Sequence, residues 1–322
     1  MRKALVVGID NYPASPLKGC TNDATAFADV IAVDGYGSPN FDVLKKSNVE
    51  NKADLKGLIE DLFNGDSEIA LLYFSGHGFI DSCAGYIATP DFKQKDPGVS
   101  MDEILTLANQ SRCRNRVVIL DCCYSGAFGS PMVNGGKTAQ VKEGVTILTS
   151  CRDYEQSVEI QGHGLFTSLL LDAMRGGAAD LRGHITPGSV YAYIDQALGP
   201  WEQRPVFITN VSQFVSLRKT TPQVAIEILR RIIKYFPKPD FDYHLDPSYE
   251  FTNTHGSGHK SSEPYADPDH VLVFKDLQKL ESVGLVIPVG EEHMYFAAMN
   301  SRSCRLTTLG HHYWRLVKEK RI

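Results

Sequence analysis

Ala70-Leu-Leu-Tyr-Phe-Ser-Gly-His-Gly78 is an apolar run that ends in Ser-Gly-His-Gly, and Val117-Val-Ile-Leu-Asp-Cys-Cys-Tyr-Ser-Gly126 is an apolar run that ends in Asp-Cys-Cys. Each reads as a strand whose last residues carry a reactive side chain. Neither alternates apolar with polar residues, so both belong in a sheet covered on its two faces. Four further runs share the pattern: Ala4–Ile9, Phe41–Leu44, Val145–Thr149 and Val206–Thr209. Helical patterns fall between them, near Asp23–Val33, Asn51–Phe63, Met101–Asn109, Leu165–Met174 and Gly188–Leu198. This alternation predicts a mostly parallel α/β sheet of about six strands with helices on both sides. Sites in such sheets form beyond the carboxyl ends of strands, where His77 and Cys123 stand.

Composition narrows the class. At 322 residues the chain is long enough for two domains. With 43% apolar and 22% charged residues it has the balance of an ordinary globular protein. A net charge of −5 gives no general argument for nucleic acid or an anionic membrane. No apolar stretch reaches the roughly 18 residues of a membrane helix, so no membrane association is expected. The apolar run after Met1 is too short for a signal peptide and suits a first strand. The seven cysteines are scattered without paired CxxC spacing, which argues against a zinc site and fits a reducing, cytoplasmic setting.

The two strand ends carry the chemistry. A thiol is a useful nucleophile only as thiolate, so it needs an adjacent base. His77 is the natural partner for Cys123, first as base and then as acid toward the leaving amine. Gly76 and Gly78 let a substrate backbone approach, and the backbone N–H groups of Gly78 and Cys123 are reasonable oxyanion donors. No carboxylate is placed by sequence to complete a triad, so a Cys-His dyad is expected. Taken singly, each residue has a bland reading as a small core cysteine or a structural histidine. The joint pattern, with its glycines, favours catalysis.

Tyr73-Phe-Ser-Gly-His-Gly78 followed by Leu120-Asp-Cys-Cys-Tyr-Ser-Gly126 resembles the caspase–metacaspase group of cysteine peptidases. Gly19-Cys-Thr-Asn-Asp-Ala24 is similar to a stretch of metacaspases and bacterial orthocaspases, and the resemblance covers about residues 1–217. It implies a caspase-like sandwich over residues 1–218, with Cys123 as nucleophile and Cys122 turned into the core. It also implies that Asp23 and Asp121, with Cys20 and Ser75 beside them, line a pocket for Arg or Lys before the cut. Two converging carboxylates favour a cation and repel an acidic side chain. The alternative is that Asp23 caps a helix beginning there while backbone amides hold Asp121. Thr149-Ser-Cys-Arg-Asp153, with Ser150 at its centre, resembles the edge on which substrates lie extended.

Two departures limit the resemblance. Many metacaspases use calcium, yet the loop after Cys123 has no acidic residue before Glu143. Asp81, Asp91 and Asp96 are the remaining candidate ligands; hard cations need several converging oxygens, so no metal or other cofactor is expected. Tyr124 stands where metacaspases typically have His. The Gly126–Gly144 loop reads as exposed, with Lys137 and Lys142 as candidate cleavage sites. Its Gly135-Gly-Lys-Thr138 lacks the leading glycine of a phosphate loop, since position 131 is Pro131.

Composition shifts after Arg218, which sets the second domain at 219–322. Pro222–Phe236 is an amphipathic helix with Val224, Ile228, Ile232 and Tyr235 on one face. A long segment, 237–269, holds five prolines and seven acidic residues against two lysines, with Phe241, Tyr243, Tyr249, Phe251 and Tyr265 interspersed. Helix Val271–Val283, a hairpin of Gly284–Gly290 with Met294–Ala298, and helix Leu306–Lys320 look like a small α+β winged-helix module. Across 221–322, 13 basic residues balance 13 acidic ones, a poor footprint for nucleic acid. A peptidase core needs no such tail for chemistry, so the tail is read as regulatory. By analogy with bacterial caspase-like effectors of antiviral defence and cell death, a nucleotide-derived signal would gate an Arg/Lys-directed endopeptidase acting on protein substrates. The competing expectation is a non-catalytic adaptor or DNA-binding regulator that keeps a caspase-like shell.

Overall fold

The computed structural model describes residues 1–80, 85–94, 96–122, 140–150, 159–160, 163–198, 205–255 and 261–322. The chain divides into two compact units, Met1–Thr221 and Pro222–Ile322. In the first unit the elements run β1 (Arg2–Gly8), α1 (Cys20–Ala32), β2 (Asp42–Ser47), α2 (Lys52–Phe63), β3 (Ile69–Ser75), β4 (Gly78–Ile80), β5 (Gly85–Lys93), β6 (Asp96–Ser100), α3 (Met101–Gln110), β7 (Asn115–Asp121) and β8 (Val145–Thr149). They continue with β9 (Glu159–Ile160), β10 (His163–Gly164), α4 (Leu165–Asp172), β11 (His184–Ile185), α5 (Pro187–Leu198), β12 (Val206–Asn210) and β13 (Arg218–Lys219).

All six strands expected from the sequence join one sheet, ordered β12-β8-β7-β3-β1-β2. Every neighbouring pair is parallel except β12 against β8. The apolar runs of β1, β3, β7 and β8 bury both faces, as two-sided coverage requires, while the edge strand β2 stays largely exposed and β12 is half-buried. Leu5, Val7, Leu72 and Phe74 pack with Leu55 and Ile59 of α2 and Ile104 and Leu105 of α3. Val6, Leu71 and Tyr73 pack on the other face with Phe27 and Ile31 of α1, Leu170 of α4 and Ile194 of α5. The lower ends of β7 and β8 are tied by Arg116, which is 6% exposed. Its guanidinium donates to the carbonyls of Ala108, Cys113, Arg114 and Glu143, so its buried charge is met by carbonyl dipoles, one of them in the last turn of α3.

An antiparallel sheet, β4-β5-β6, was not visible in the sequence. It carries Asp, Pro and Gly residues that weaken any strand pattern. Its first strand begins one residue after His77.

The second unit contains α6 (Ile226–Tyr235), β14 (Tyr243–His244), α7 (Pro268–Glu281), β15 (Val286–Val289), α8 (Met294–Met299), β16 (Ser303–Leu306) and α9 (Thr308–Lys318). Arg231 of α6 donates to both carboxylate oxygens of Asp276 on α7, at 2.6 and 3.0 Å. The segment read as a long loop holds an internal network. The Asn253 amide donates to the carbonyls of Pro247, Ser262 and Pro264, and its oxygen accepts from the Ser262 N–H. The expected hairpin partner is corrected. Met294–Met299 is a helix that buries Met294, Ala297 and Ala298, a helical spacing, and β15 pairs instead with β16. Among the described residues no helix is long and apolar enough to cross a membrane.

Candidate active site

The site forms where β1, β3 and β7 end together. Ser75 pairs with Asp121 in the register of β3 and β7, and Gly8 pairs with Ser75 across β1 and β3. His77 and Cys123 each lie two residues past that Ser75–Asp121 pair in sequence. Cys123 itself falls outside the described residues, as do Asp81, Tyr124, Lys137, Gly135–Thr138 and positions 151–153 of the expected substrate edge.

His77 is held from three sides by the segment that follows β1. The Tyr12 hydroxyl accepts from the His77 backbone N–H at 3.1 Å and donates to the Ala88 carbonyl at 3.2 Å. The Tyr12 ring meets the imidazole edge-on, with centroids 4.6 Å apart. The imidazole Nε2 lies 2.7 Å from the Ser15 carbonyl. A carbonyl only accepts, so Nε2 carries the proton, and in the neutral ring Nδ1 is the bare nitrogen. That is the tautomer a base needs. Next to it, the Gly76 N–H donates to the Asp121 carbonyl, and Gly78 opens β4 by pairing with Ile87.

Opposite stands a buried polar cluster. Asp23 is 2% and Asp121 8% exposed. Ser75 Oγ donates to Asp23 at 3.3 Å, and Thr167 Oγ1 donates to Asp121 at 2.6 Å. Behind Thr167 lies the Tyr73 hydroxyl, 2.6 Å away. Ser150 also bonds to the Asp121 side chain, and its Oγ donates to the Cys122 carbonyl. Gly164 packs closely against the two carboxylates: a Cβ there would lie 3.0 Å from Asp121 and 3.6 Å from Asp23. Burial, with Asp23 nearby, pushes the Asp121 carboxyl up to about 6, partly offset by Thr167 and Ser150. Burial also raises Asp23, against the pull of His163. The Cys20 thiol is pushed well up by burial, which disfavours its thiolate.

Each of the described sequence candidates (Cys20, Asp23, Ser75, His77, Gly78, Asp121 and Ser150) therefore sits at this one end of the sheet. The helix-capping alternative for Asp23 is corrected: α1 begins at Cys20, and its cap comes from Asp10. That carboxylate accepts from the N–H groups of Cys20 and Thr21 and from the Thr21 hydroxyl. α1 can start there because Gly8 has no side chain; a Cβ would collide with the Cys20 carbonyl. Cys122 is buried in the core beside Leu120. Sequence reading missed Asp10, Tyr12, Tyr73, His163 and Thr167, whose roles depend on partners far away in the chain. Asp91 accepts from the Lys52 N–H and the Thr89 hydroxyl, and Asp96 pairs with Lys52 Nζ at 2.7 Å. These two acids are engaged within the protein.

A mostly parallel six-stranded sheet between helices, with a histidine and an Asp-Cys-Cys segment at adjacent strand ends, defines a caspase-like fold. The chain matches the Caspase domain model (Peptidase_C14) over residues 1–219 and belongs to that family of cysteine peptidases. Solved structures agree on the fold. A protein of Geobacter sulfurreducens superposes with a TM-score of 0.51 at 19% identity, covering 69% of this chain and 98% of its own. Caspase-1 from Spodoptera frugiperda gives 0.50 at 13% identity, covering 68% and 91%. No curated protein matches the chain.

Proposed function

We propose that the chain is a cysteine endopeptidase that cuts proteins after Arg or Lys through Cys123 and His77. The observation that carries this reading is the convergence of the Asp23 and Asp121 carboxylates on Gly164, at the same end of the sheet as His77. A closed anionic recess suits a guanidinium or ammonium and rejects a carboxylate. Cys20, Ser75 and Ser150 complete its wall. His77 Nδ1 takes the Cys123 thiol proton, and the thiolate attacks the scissile carbonyl carbon. The oxyanion is met by the N–H groups of Gly78 and Cys123. His77 returns the proton to the leaving amine as the C–N bond breaks, and water then hydrolyses the thioester. None of these steps calls on a metal ion.

Labelling tests this reading directly. A peptide acyloxymethyl ketone ending in Arg is expected to alkylate Cys123, identified by peptide mass spectrometry, while one ending in Asp leaves it unmodified. Alkylation of another cysteine instead, or equal labelling by the Asp probe, would contradict it.

The Tyr12 hydroxyl gives a second expectation. Tyr12→Phe deprives the His77 N–H and the Ala88 carbonyl of a partner, at a cost of about 1–3 kcal/mol. Because this hydroxyl also places the imidazole, kcat is expected to fall about tenfold with KM nearly constant. Steady-state kinetics beside thermal melts separate the two effects.

The second unit is proposed to regulate the first. Phe241, Phe251 and Tyr265 stay exposed in it, and Lys275 lies 6.0 Å over the Phe251 ring. Exposed rings beside a cation suit a nucleotide-like signal.

A further inference from the structure

His163 is a feature that neither the dyad nor the resemblance accounts for. It belongs to the short β9–β10 pair, and its Nδ1 lies 2.6 Å from Asp23 Oδ1. The Asp23 side chain is 3% exposed, whereas the imidazole is 30% exposed. The other Asp23 oxygen accepts from Ser75 Oγ and, at 3.4 Å, from the Gly164 N–H. The imidazole thus lies against one of the two carboxylates of the recess, and Gly164, its neighbour in sequence, packs closely against both.

This arrangement has two charge states with opposite consequences for a cation. With a neutral ring, Nδ1–H donates to Asp23 and the recess keeps the charge of both carboxylates. With a protonated ring, the imidazolium and Asp23 form an internal ion pair, and an incoming guanidinium meets a like charge at the wall. We propose that His163 is a specificity-determining residue of the recess: the substrate cation and the His163 proton compete for Asp23. The inference rests on the pocket reading given above.

Among the described residues, the other groups around this contact come from several elements. α1 brings Asp23 and Cys20, with Asp10 at its start, and β7 brings Asp121. β3 brings Tyr73 and Ser75, and α4 brings Thr167. Asp121 also takes up a proton on mild acidification and weakens cation binding in the same direction. The His163 contribution is therefore read as a difference between proteins.

The test uses the full chain and two cations with no scissile bond, agmatine and butylamine. Their affinities are measured by calorimetry between about pH 5.5 and 8 for wild type, His163→Gln and Asp23→Asn. Glutamine keeps a donor for Asp23 and cannot take the charge. Toward the acid end wild type is expected to lose more affinity than His163→Gln, the difference being the contribution of the ring's charge. Binding by His163→Gln alone at the acid end would support the proposal equally. Superimposable pH profiles for the two proteins would overturn it and leave the pocket intact. So would loss of binding at every pH in His163→Gln, with Asp23→Asn also weakened. Unweakened binding by Asp23→Asn, or no binding by wild type and His163→Gln at any pH, would overturn the pocket reading and this inference together.

Discussion

Replacing His77 by alanine is expected to lower kcat/KM on an Arg peptide by about a thousandfold, carried almost wholly by kcat. The imidazole has two jobs in the proposed cycle, taking the thiol proton and returning it to the leaving amine. Its described polar neighbours cannot stand in. The Ser15 carbonyl has no proton to exchange, and the Tyr12 hydroxyl is pushed far above its ordinary range by burial. The fold should tolerate the change, because the Tyr12 hydroxyl bonds to the backbone N–H at this position rather than to the ring. Added imidazole is expected to restore part of the rate, which a structural defect would not allow. Steady-state kinetics with and without imidazole check this. Retention of more than about a tenth of wild-type activity would remove His77 from the mechanism.

The second large effect runs in opposite directions for activity and stability. Asp121→Asn removes one of two carboxylates from the recess and is expected to lower kcat/KM on Arg and Lys peptides by about a hundredfold. The same change should make the peptidase unit more stable at neutral pH. Burial raises the Asp121 carboxyl to about 6 in the folded protein. A carboxyl raised by folding contributes stability that is fully present below its unfolded value, near 4, and lost as pH rises through about 6. At pH 7 the wild type therefore carries a charge that costs about 3 kcal/mol, and the asparagine variant does not. Asparagine still offers an oxygen to Thr167. The melting-temperature advantage of the variant should be largest above about pH 6 and shrink toward zero near pH 4. Such a trade of stability for function is ordinary at binding sites. Lower stability of the variant at pH 7 would show that the Thr167 and Ser150 contacts outweigh the desolvation.

Much of this was legible in the sequence, for identifiable reasons. The four central strands, β1, β3, β7 and β8, are largely continuous apolar runs, a pattern that two-sided burial imposes and that needs no knowledge of partners. His77 and Asp121 stand at the ends of neighbouring strands, so sheet topology alone brings their segments together. Asp23, Cys20 and Ser75 could be grouped only through the motif resemblance. Charge pattern by itself left Asp23 as a helix cap, and the true cap, Asp10, reaches α1 from the end of β1. His163 was invisible because its partner lies on α1, far away in the chain, and a histidine before a helix has no local signature. Thr167 and Tyr73 look like ordinary core residues until their hydroxyls are seen to be lined up behind Asp121. The hairpin error around Met294 has a simple cause. Six residues of Met, aromatics and alanine suit a strand or one and a half helical turns, and only the burial of Met294, Ala297 and Ala298 decides.

The paired strand ends are proposed to make a cysteine peptidase selective for a basic residue. The most direct measurement is cleavage of fluorogenic peptides carrying Arg, Lys or Asp before the reporter, by wild type and Cys123→Ala, with and without calcium and a panel of nucleotides. Turnover of the Arg and Lys peptides, none of the Asp peptide, and loss of all turnover in Cys123→Ala are expected. Preference for Asp, or activity that survives Cys123→Ala, would contradict it.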